Sequence, residues 1–192
     1  MDSPSEPSGL LALLWSRPPT LGPAGAETGR LLCLDGPAGS GKTTLADAVA
    51  ALAGEAGIST TVIHLDDLYD GWSGLPRLGQ RLDPLLLPLA RGEAGSYRRY
   101  DWAAGQLAET VPVAPVSLLI LEGVGSGLAA YRCLRTVLVW VDAPAQIRLA
   151  RWRARDGAAA EPFIAAWQRD EQELFRRERT RESADVVWSP GN

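Results

Sequence analysis

Gly36-Pro37-Ala38-Gly39-Ser40-Gly41-Lys42-Thr43 carries the densest chemistry in the chain. It fits the pattern G-x-x-x-x-G-K-[ST], in which a glycine-rich turn bends its backbone N–H groups around phosphate oxygens. Gly36, Gly39, Ser40, Gly41, Lys42, Thr43 and Thr44 are therefore candidate phosphate-binding residues. Lys42 has the reach and charge for the β- and γ-phosphates, and the Thr43 hydroxyl is a candidate Mg²⁺ ligand. Two carboxylate sets accompany this turn. Asp66 and Asp67 follow the run Thr60–Leu65, and Glu122 ends the apolar run Val116–Leu121. An anion cradle, a hard-metal ligand and a carboxylate able to take a hydroxyl proton are the parts that phosphoryl transfer needs. The pattern predicts ATP or GTP as ligand, Thr43 and Glu122 on Mg²⁺, and Asp66 as base. Arg148, Arg151 and Arg155 share one face of a predicted helix; the rigid forks of Arg151 and Arg155 suit a transferring phosphoryl group.

These groups converge only if the elements between them alternate. Arg30–Leu34 reads as a strand ahead of the glycine-rich turn, and Leu45, Val49 and Leu52 mark one face of a helix after it. Thr60–Leu65, Val116–Leu121, Thr136–Val141 and Asp185–Trp188 read as further strands, and Pro144–Arg155 and Glu161–Arg179 as helices. Strands alternating with helices predict an α/β fold, a five-stranded, mostly parallel sheet covered on both faces. In such sheets the sites lie at the carboxyl ends of the strands, where the glycine-rich turn, Asp66 and Glu122 all fall. Residues 1–29 are expected to form an extension, polar at Met1–Pro7, with a helical turn or two at Leu10–Trp15. Residues 30–192 form a single domain, with 66–115 as acceptor lobe and 148–160 as lid. Asp66–Arg81 reads as a long loop, and Leu82–Arg91 as short helix or irregular because of Pro84 and Pro88. Trp72 and Trp102, in the same lobe, suit core packing or stacking on a flat substrate.

The 192 residues suffice for one domain with a real core, and 46% hydrophobic with 22% charged residues is an ordinary soluble composition. The net charge of −4 gives no global field toward nucleic acid or anionic membrane, so the expected partner is a small-molecule acceptor, with a homo-oligomer open. Two cysteines without metal-ligand spacing fit a reduced pair, and His64 leaves no histidine-rich metal site. No apolar run reaches membrane-spanning length and the N-terminus lacks the basic region of a signal peptide, so the expected compartment is the cytoplasm.

Together the landmarks resemble the uridine kinase / phosphoribulokinase family of P-loop kinases. The resemblance rests on Gly41-Lys42-Thr43-Thr44, Asp66-Asp67-Leu68-Tyr69, Tyr100-Asp101-Trp102, Glu122-Gly123 and the arginine-rich stretch Arg148–Asp156. It implies a P-loop NTPase fold with a lid, ATP and Mg²⁺ as cofactors, Asp66 as general base, and Tyr69, Tyr100 and Asp101 as substrate-binding residues. Ala184-Asp185-Val186 with Pro190-Gly191 resembles the family's last strand and adenine-side loop. The chain departs from the family at Gly71–Asp83, which lacks the ribose-holding stretch, and at Asp156–Ala160, where the lid is short. Its start, Leu34–Lys42, also looks like cytidylate kinase. The activity expected is transfer of a γ-phosphoryl group to a hydroxyl of a nucleoside or related metabolite. Two alternatives stand beside it. One is a nucleoside-monophosphate or dephospho-coenzyme A kinase using Arg77, Arg81, Arg98 or Arg99; the other is a regulatory ATP-binding protein without turnover.

Overall fold

The structure, a computed structural model, describes residues 6–157 and 160–189. Ala158 and Ala159 of the expected lid, and Pro190-Gly191 of the expected adenine-side loop, lie outside the described residues.

Apolar β-branched and leucine-rich runs form the central sheet. Its strands are β1 (Arg30–Asp35), β2 (Thr60–His64), β5 (Leu118–Glu122), β6 (Val137–Val141) and β7 (Val186–Trp188), in the order β2-β5-β1-β6-β7. All four pairings are parallel. The fold is the expected α/β one, with five parallel strands. Side chains alternate along each strand, so both faces need cover. On one face Leu32 and Leu34 of β1 join Leu118, Ile120, Val137 and Val139 against α2 (Lys42–Glu55), through Leu45 and Val49. On the other, Leu31 and Cys33 join Leu119, Leu121 and Leu138 against α3 (Leu78–Leu89) and α5 (Glu161–Glu178).

The extension is tied down. Helix α1 (Pro7–Ser16) buries Leu10 and Leu14 completely beside α2, so Pro7 begins a helix instead of ending a polar tail. Arg30 of β1 donates to the Leu14 carbonyl at the end of α1 and lies 4.8 Å from the Trp15 ring centroid.

The acceptor lobe is more regular than the sequence suggests. Short 3-10 turns cover Leu65–Asp67 and Leu75–Arg77. Helix α3 then runs through both Pro84 and Pro88. An interior proline costs about 3 kcal/mol. Five leucines of α3 (Leu78, Leu82, Leu85, Leu86 and Leu89) are at most 2% exposed. At roughly 1.5–3 kcal/mol for each buried leucine, packing outweighs both breakers. Strands β3 (Gly95–Asp101) and β4 (Gln106–Val113) then pair antiparallel as a hairpin, which sequence reading left inside an irregular lobe. Its residues are mostly half-buried or exposed, with Tyr97 alone of the large side chains of β3 packed against the core, so no apolar alternation announces the strands.

Helix α4 (Ala145–Asp156) follows β6, with Pro144 just outside it, and leads to α5. Among the described residues no helix is long and apolar enough to cross a membrane.

Because α1 is part of the core, Leu14→Ala is expected to lower the unfolding free energy by about 2–5 kcal/mol. Urea titration checks this; a change below about 0.5 kcal/mol would make α1 a surface appendage.

Candidate active site

Parallel register places three chemical groups on one edge of the sheet. Leu34 of β1 and His64 of β2 both align with Glu122 of β5. Beyond them the chain turns into the P-loop, the Asp66–Asp67 turn and the glycine-rich loop 123–127. A cavity of about 690 Å³ opens there, lined by Lys42, Thr43, Thr44, Asp66, Asp67, Tyr69, Trp72, Trp102, Glu122, Arg151, Trp152, Arg155 and Trp167 among others.

The P-loop wraps against α4. Gly39 has φ +76°, and a Cβ there would sit 2.4 Å from the Arg148 carbonyl oxygen. Only glycine allows that approach. Among the described residues no protein acceptor meets the backbone N–H groups of Gly39, Gly41, Lys42, Thr43 and Thr44, whereas that of Ser40 donates to Pro37. Open donors at a helix start favour an anion, so the cradle fits a polyphosphate. Lys42 folds onto this same loop, its Nζ donating to the carbonyls of Gly36 (2.8 Å) and Pro37 (3.0 Å). Ser40 is fully buried, and its Oγ has no partner among the described residues.

Thr43 and Glu122 meet. The Thr43 hydroxyl donates to Glu122 Oε1 at 3.1 Å, and His64 Nδ1 lies 2.7 Å from the same oxygen. That hydrogen bond raises the pKa of His64 and favours a protonated ring beside the carboxylate. One hydroxyl and one carboxylate, with room for phosphate oxygens and water, fit the oxygen-rich shell that Mg²⁺ requires. No group of three or more His, Cys, Asp or Glu side chains placed to hold a metal is found among the described residues. The glycine after Glu122 makes the turn possible: Gly123 has φ +138°, and a Cβ would fall 2.5 Å from Cβ of Leu65.

Asp66 lines the same cavity as the P-loop. Its Oδ2 lies 3.3 Å from Arg155, and its backbone carbonyl accepts the Trp102 indole N–H at 2.9 Å. Although its side chain is half exposed, the surrounding cavity walls desolvate it and raise its pKa from the ordinary aspartate value, with the Arg155 charge opposing. Asp67 also lines the cavity, its pKa raised by burial. Arg151 reaches toward the P-loop carbonyls of Gly39 and Ser40 at 3.4 and 3.5 Å, while Arg153 turns away to pair with Glu161.

The remaining expected substrate residues separate. Tyr69 lines the cavity but is 1% exposed, and its hydroxyl donates to the Val124 carbonyl. Tyr100 and Asp101 are not among the lining residues. Tyr100 packs edge-on against Trp102, and Asp101 accepts the N–H groups of Ala103 and Ala104, closing the β3–β4 turn.

Two buried carboxylates were missed by sequence reading. Asp35, 0% exposed, accepts N–H groups from Gly36 (2.7 Å), Gly125 (2.8 Å) and Gly127 (2.8 Å). Burial pushes its pKa up and the three N–H groups pull it down. An acid closing an apolar strand, as Glu122 also does, was a readable signal. Glu171 of α5, 4% exposed, accepts the Ala38 N–H at 2.8 Å, with Arg148 at 3.9 Å; burial raises its pKa. It interrupts the apolar stripe Ile164, Trp167, Leu174, a place where an acid is unusual.

No family model matches the chain, and no curated protein matches it. Solved structures do. A protein described as a possible uridine kinase from Bacillus stearothermophilus superposes with TM-score 0.66 at 20% identity, over 95% of this chain and 97% of that one. A candidate fructose transport system kinase from a Silicibacter species gives TM-score 0.66 at 22% identity, over 95% and 98%. What these proteins share with the chain is the α/β fold, over essentially its whole length.

Glu171→Ala should strand the Ala38 N–H and raise the KM for ATP at least tenfold, since a bond to a charged group is worth about 1.5–3 kcal/mol. Glu171→Gln keeps the accepting oxygen and should stay within about threefold. Equal KM values for both variants would show that Glu171 does not hold the P-loop.

Proposed function

We propose that the chain is an ATP-dependent small-molecule kinase that transfers the γ-phosphoryl group to a hydroxyl of a nucleoside or related metabolite. The observation that carries this is the distribution of charge around the cavity. Its lining cations are Lys42, Arg151 and Arg155, from the P-loop helix and α4, while the acceptor side presents Asp66, Asp67 and aromatic rings.

Bound ATP with Mg²⁺ supplies an electrophilic phosphorus and a metal that offsets charge on the phosphates. The protein supplies the rest. The free N–H groups at the start of α2 bind and orient phosphate oxygens, and Thr43 and Glu122 would hold the metal. Lys42 exchanges two neutral carbonyls for phosphate oxygens. Asp66, at its carboxylate, takes the proton of the acceptor hydroxyl; a raised pKa makes it a stronger base than a free aspartate. Arg151 and Arg155 neutralise charge on the transferring group, and Arg155 releases Asp66 when it does so.

A phosphate-bearing acceptor fits less well. It needs cations in the acceptor lobe, and those there are engaged elsewhere. Arg77 and Arg81 both bond Asp70, Arg98 bonds the carbonyls of Leu107 and Ala108, and Arg99 pairs with Glu109. None of the four lines the cavity. A regulatory ATP-binding protein would not need a carboxylate facing the phosphate cradle, and its ATPase rate would not respond to any acceptor.

With the best acceptor from a panel of nucleosides, nucleotides and alcohols, Asp66→Asn is expected to cut kcat roughly 10²–10⁴-fold with ATP affinity unchanged. Arg77→Ala and Arg99→Ala should keep kcat within a few-fold. The reverse pattern would replace this reading with a phosphate-acceptor kinase. Lys42→Ala should abolish acceptor-dependent ADP formation, and turnover near wild type at saturating ATP would remove the basis of the proposal.

The pH profile carries a further expectation. Asp66 must be ionised to act, and its folded pKa is raised, so kcat should fall as pH drops through a value above about 3.9, the ordinary aspartate pKa. An acid limb at or below the ordinary value would contradict the base assignment.

A further inference from the structure

Asp67 is the charge in the cavity that phosphoryl transfer leaves unused. Its half-buried carboxylate lines the cavity and meets no hydrogen-bond donor among the described residues. The cations that act on it are both committed elsewhere. His64 lies 2.7 Å from Glu122, and Arg99 pairs with Glu109 at 2.7 Å. Desolvation outweighs their pull and raises the Asp67 pKa. A carboxylate drawn partly out of water without a bonded partner favours a positive charge beside it.

A loaded donor side sharpens this. The lining carboxylates are Asp66, Asp67, Glu122 and Asp156; the lining cations are Lys42, Arg151 and Arg155. Those three cations are the groups that phosphates engage. Asp156 keeps its own hold on Arg155, through Nε at 2.6 Å and Nη2 at 2.9 Å, and Glu122 answers the metal. With the acceptor hydroxyl on Asp66, Asp67 is the lining carboxylate left without a counter-charge. The wall near it is aromatic. Trp72 is parallel to Phe163 of α5 (4°, centroids 5.3 Å apart) and edge-on to Trp102 of the hairpin turn (5.1 Å) and Trp167 of α5 (6.1 Å), with Trp152 of α4 at 6.3 Å. Trp102 keeps 40% of its surface exposed, and an indole face carries the negative potential that attracts a cation. The wall has a polar point as well. Trp152 is 3% exposed, lines the cavity, and its indole N–H has no partner among the described residues. The Trp167 N–H also lacks an acceptor at hydrogen-bond distance, but it lies near enough to Glu171 to oppose the rise in that residue's pKa. A pure hydrocarbon would leave the Trp152 donor unpaired, whereas a molecule with an accepting oxygen satisfies it.

We propose that the acceptor is an alcohol that also carries a positively charged amine, with the hydroxyl on Asp66 and the ammonium held by Asp67 and the exposed ring of Trp102. This rests on the kinase reading for the hydroxyl and names what the rest of the molecule carries. A charge-assisted bond to a carboxylate and the face of an indole each favour a cation over a neutral group of the same shape. A neutral alcohol leaves Asp67 uncompensated, and an anionic one is repelled by it.

The test uses the full chain and pairs of alcohols that differ in charge: choline with dimethylbutanol, its uncharged carbon isostere, and aminomethyluridine with uridine. ADP formation is measured for each, and binding is read separately by quenching of tryptophan fluorescence in the presence of ADP and Mg²⁺. In the pair that binds more tightly, the cation is expected to exceed its neutral partner by at least about tenfold. Asp67→Asn should weaken the cation and spare the neutral alcohol, bringing the two within about threefold. Trp102→Leu should weaken choline by roughly 2- to 30-fold, and Trp102→Phe, which keeps a ring face, should stay within about threefold. The KM for ATP and the Mg²⁺ dependence should not move in Asp67→Asn, and thermal unfolding confirms that the variants are folded.

A smaller preference for the cation in both pairs would overturn the proposal. So would a preference that survives Asp67→Asn, or a raised Mg²⁺ requirement in that variant with the preference intact, which would place Asp67 on the metal side. The two readings fail separately. Cation binding without ADP formation from any alcohol overturns the kinase and leaves the cation site; ADP formation from uridine with no preference for charge does the reverse.

Discussion

A single buried carboxylate holds the two halves of the phosphate site together. Asp35 closes β1 and gives its lone pairs to three backbone N–H groups, one at the first glycine of the P-loop and two in the loop that follows Glu122. An isolated buried carboxylate costs several kcal/mol, so this one persists only because all three donors are in place. The dependence runs the other way too. Gly125 and Gly127 would be buried donors without acceptors if Asp35 were apolar. The phosphate cradle and the Glu122 strand end are therefore locked at one spacing before any ligand arrives. Glu171 repeats the device from the far side, fixing Ala38 of the same loop to α5.

That rigidity contrasts with the charges inside the cavity. Lys42 rests on two loop carbonyls, Arg155 on Asp66, and Arg151 at long range on the P-loop carbonyls. Each of these cations has a partner that a phosphate would replace. The Arg155–Asp66 pair is more than half exposed on both sides, so little holds it closed. The frame is preorganised and the cations are interchangeable, which lowers the reorganisation needed when a polyanion enters.

The parts of this site that sequence made legible are those in which spacing itself encodes geometry. A glycine-rich turn between a strand and a helix admits one backbone path, and strand ends in a parallel sheet share one edge; hence the P-loop, Asp66 and Glu122 could be placed from residue order alone. The rest depends on tertiary packing. Pro84 and Pro88 argue against a helix until five buried leucines outweigh them. The hairpin is mostly half-buried or exposed, so its strands lack the apolar alternation that marks β structure. Tyr100 and Asp101 read as substrate residues by motif, but Asp101 closes a turn and Tyr100 supports Trp102. The aromatic wall draws on the loop after β2, the hairpin turn, α4 and α5, and no local pattern links those four stretches.

The same division bears on how such a fold changes what it acts on. The phosphate half is built from backbone donors and from carboxylates that bind backbone, so almost any substitution there breaks a buried bond. The acceptor half is built from side chains displayed by a hairpin and by two helices, packed ring against ring. Aromatic packing tolerates exchange of one ring for another far better than a buried hydrogen-bond network tolerates loss of an acceptor. At 20–22% identity, two structures keep this fold over more than nine-tenths of this chain. A fixed frame can remain while the wall that meets the acceptor is rewritten. Likeness at this identity therefore speaks to the fold alone, and any acceptor has to be read from the side chains of this chain's own cavity.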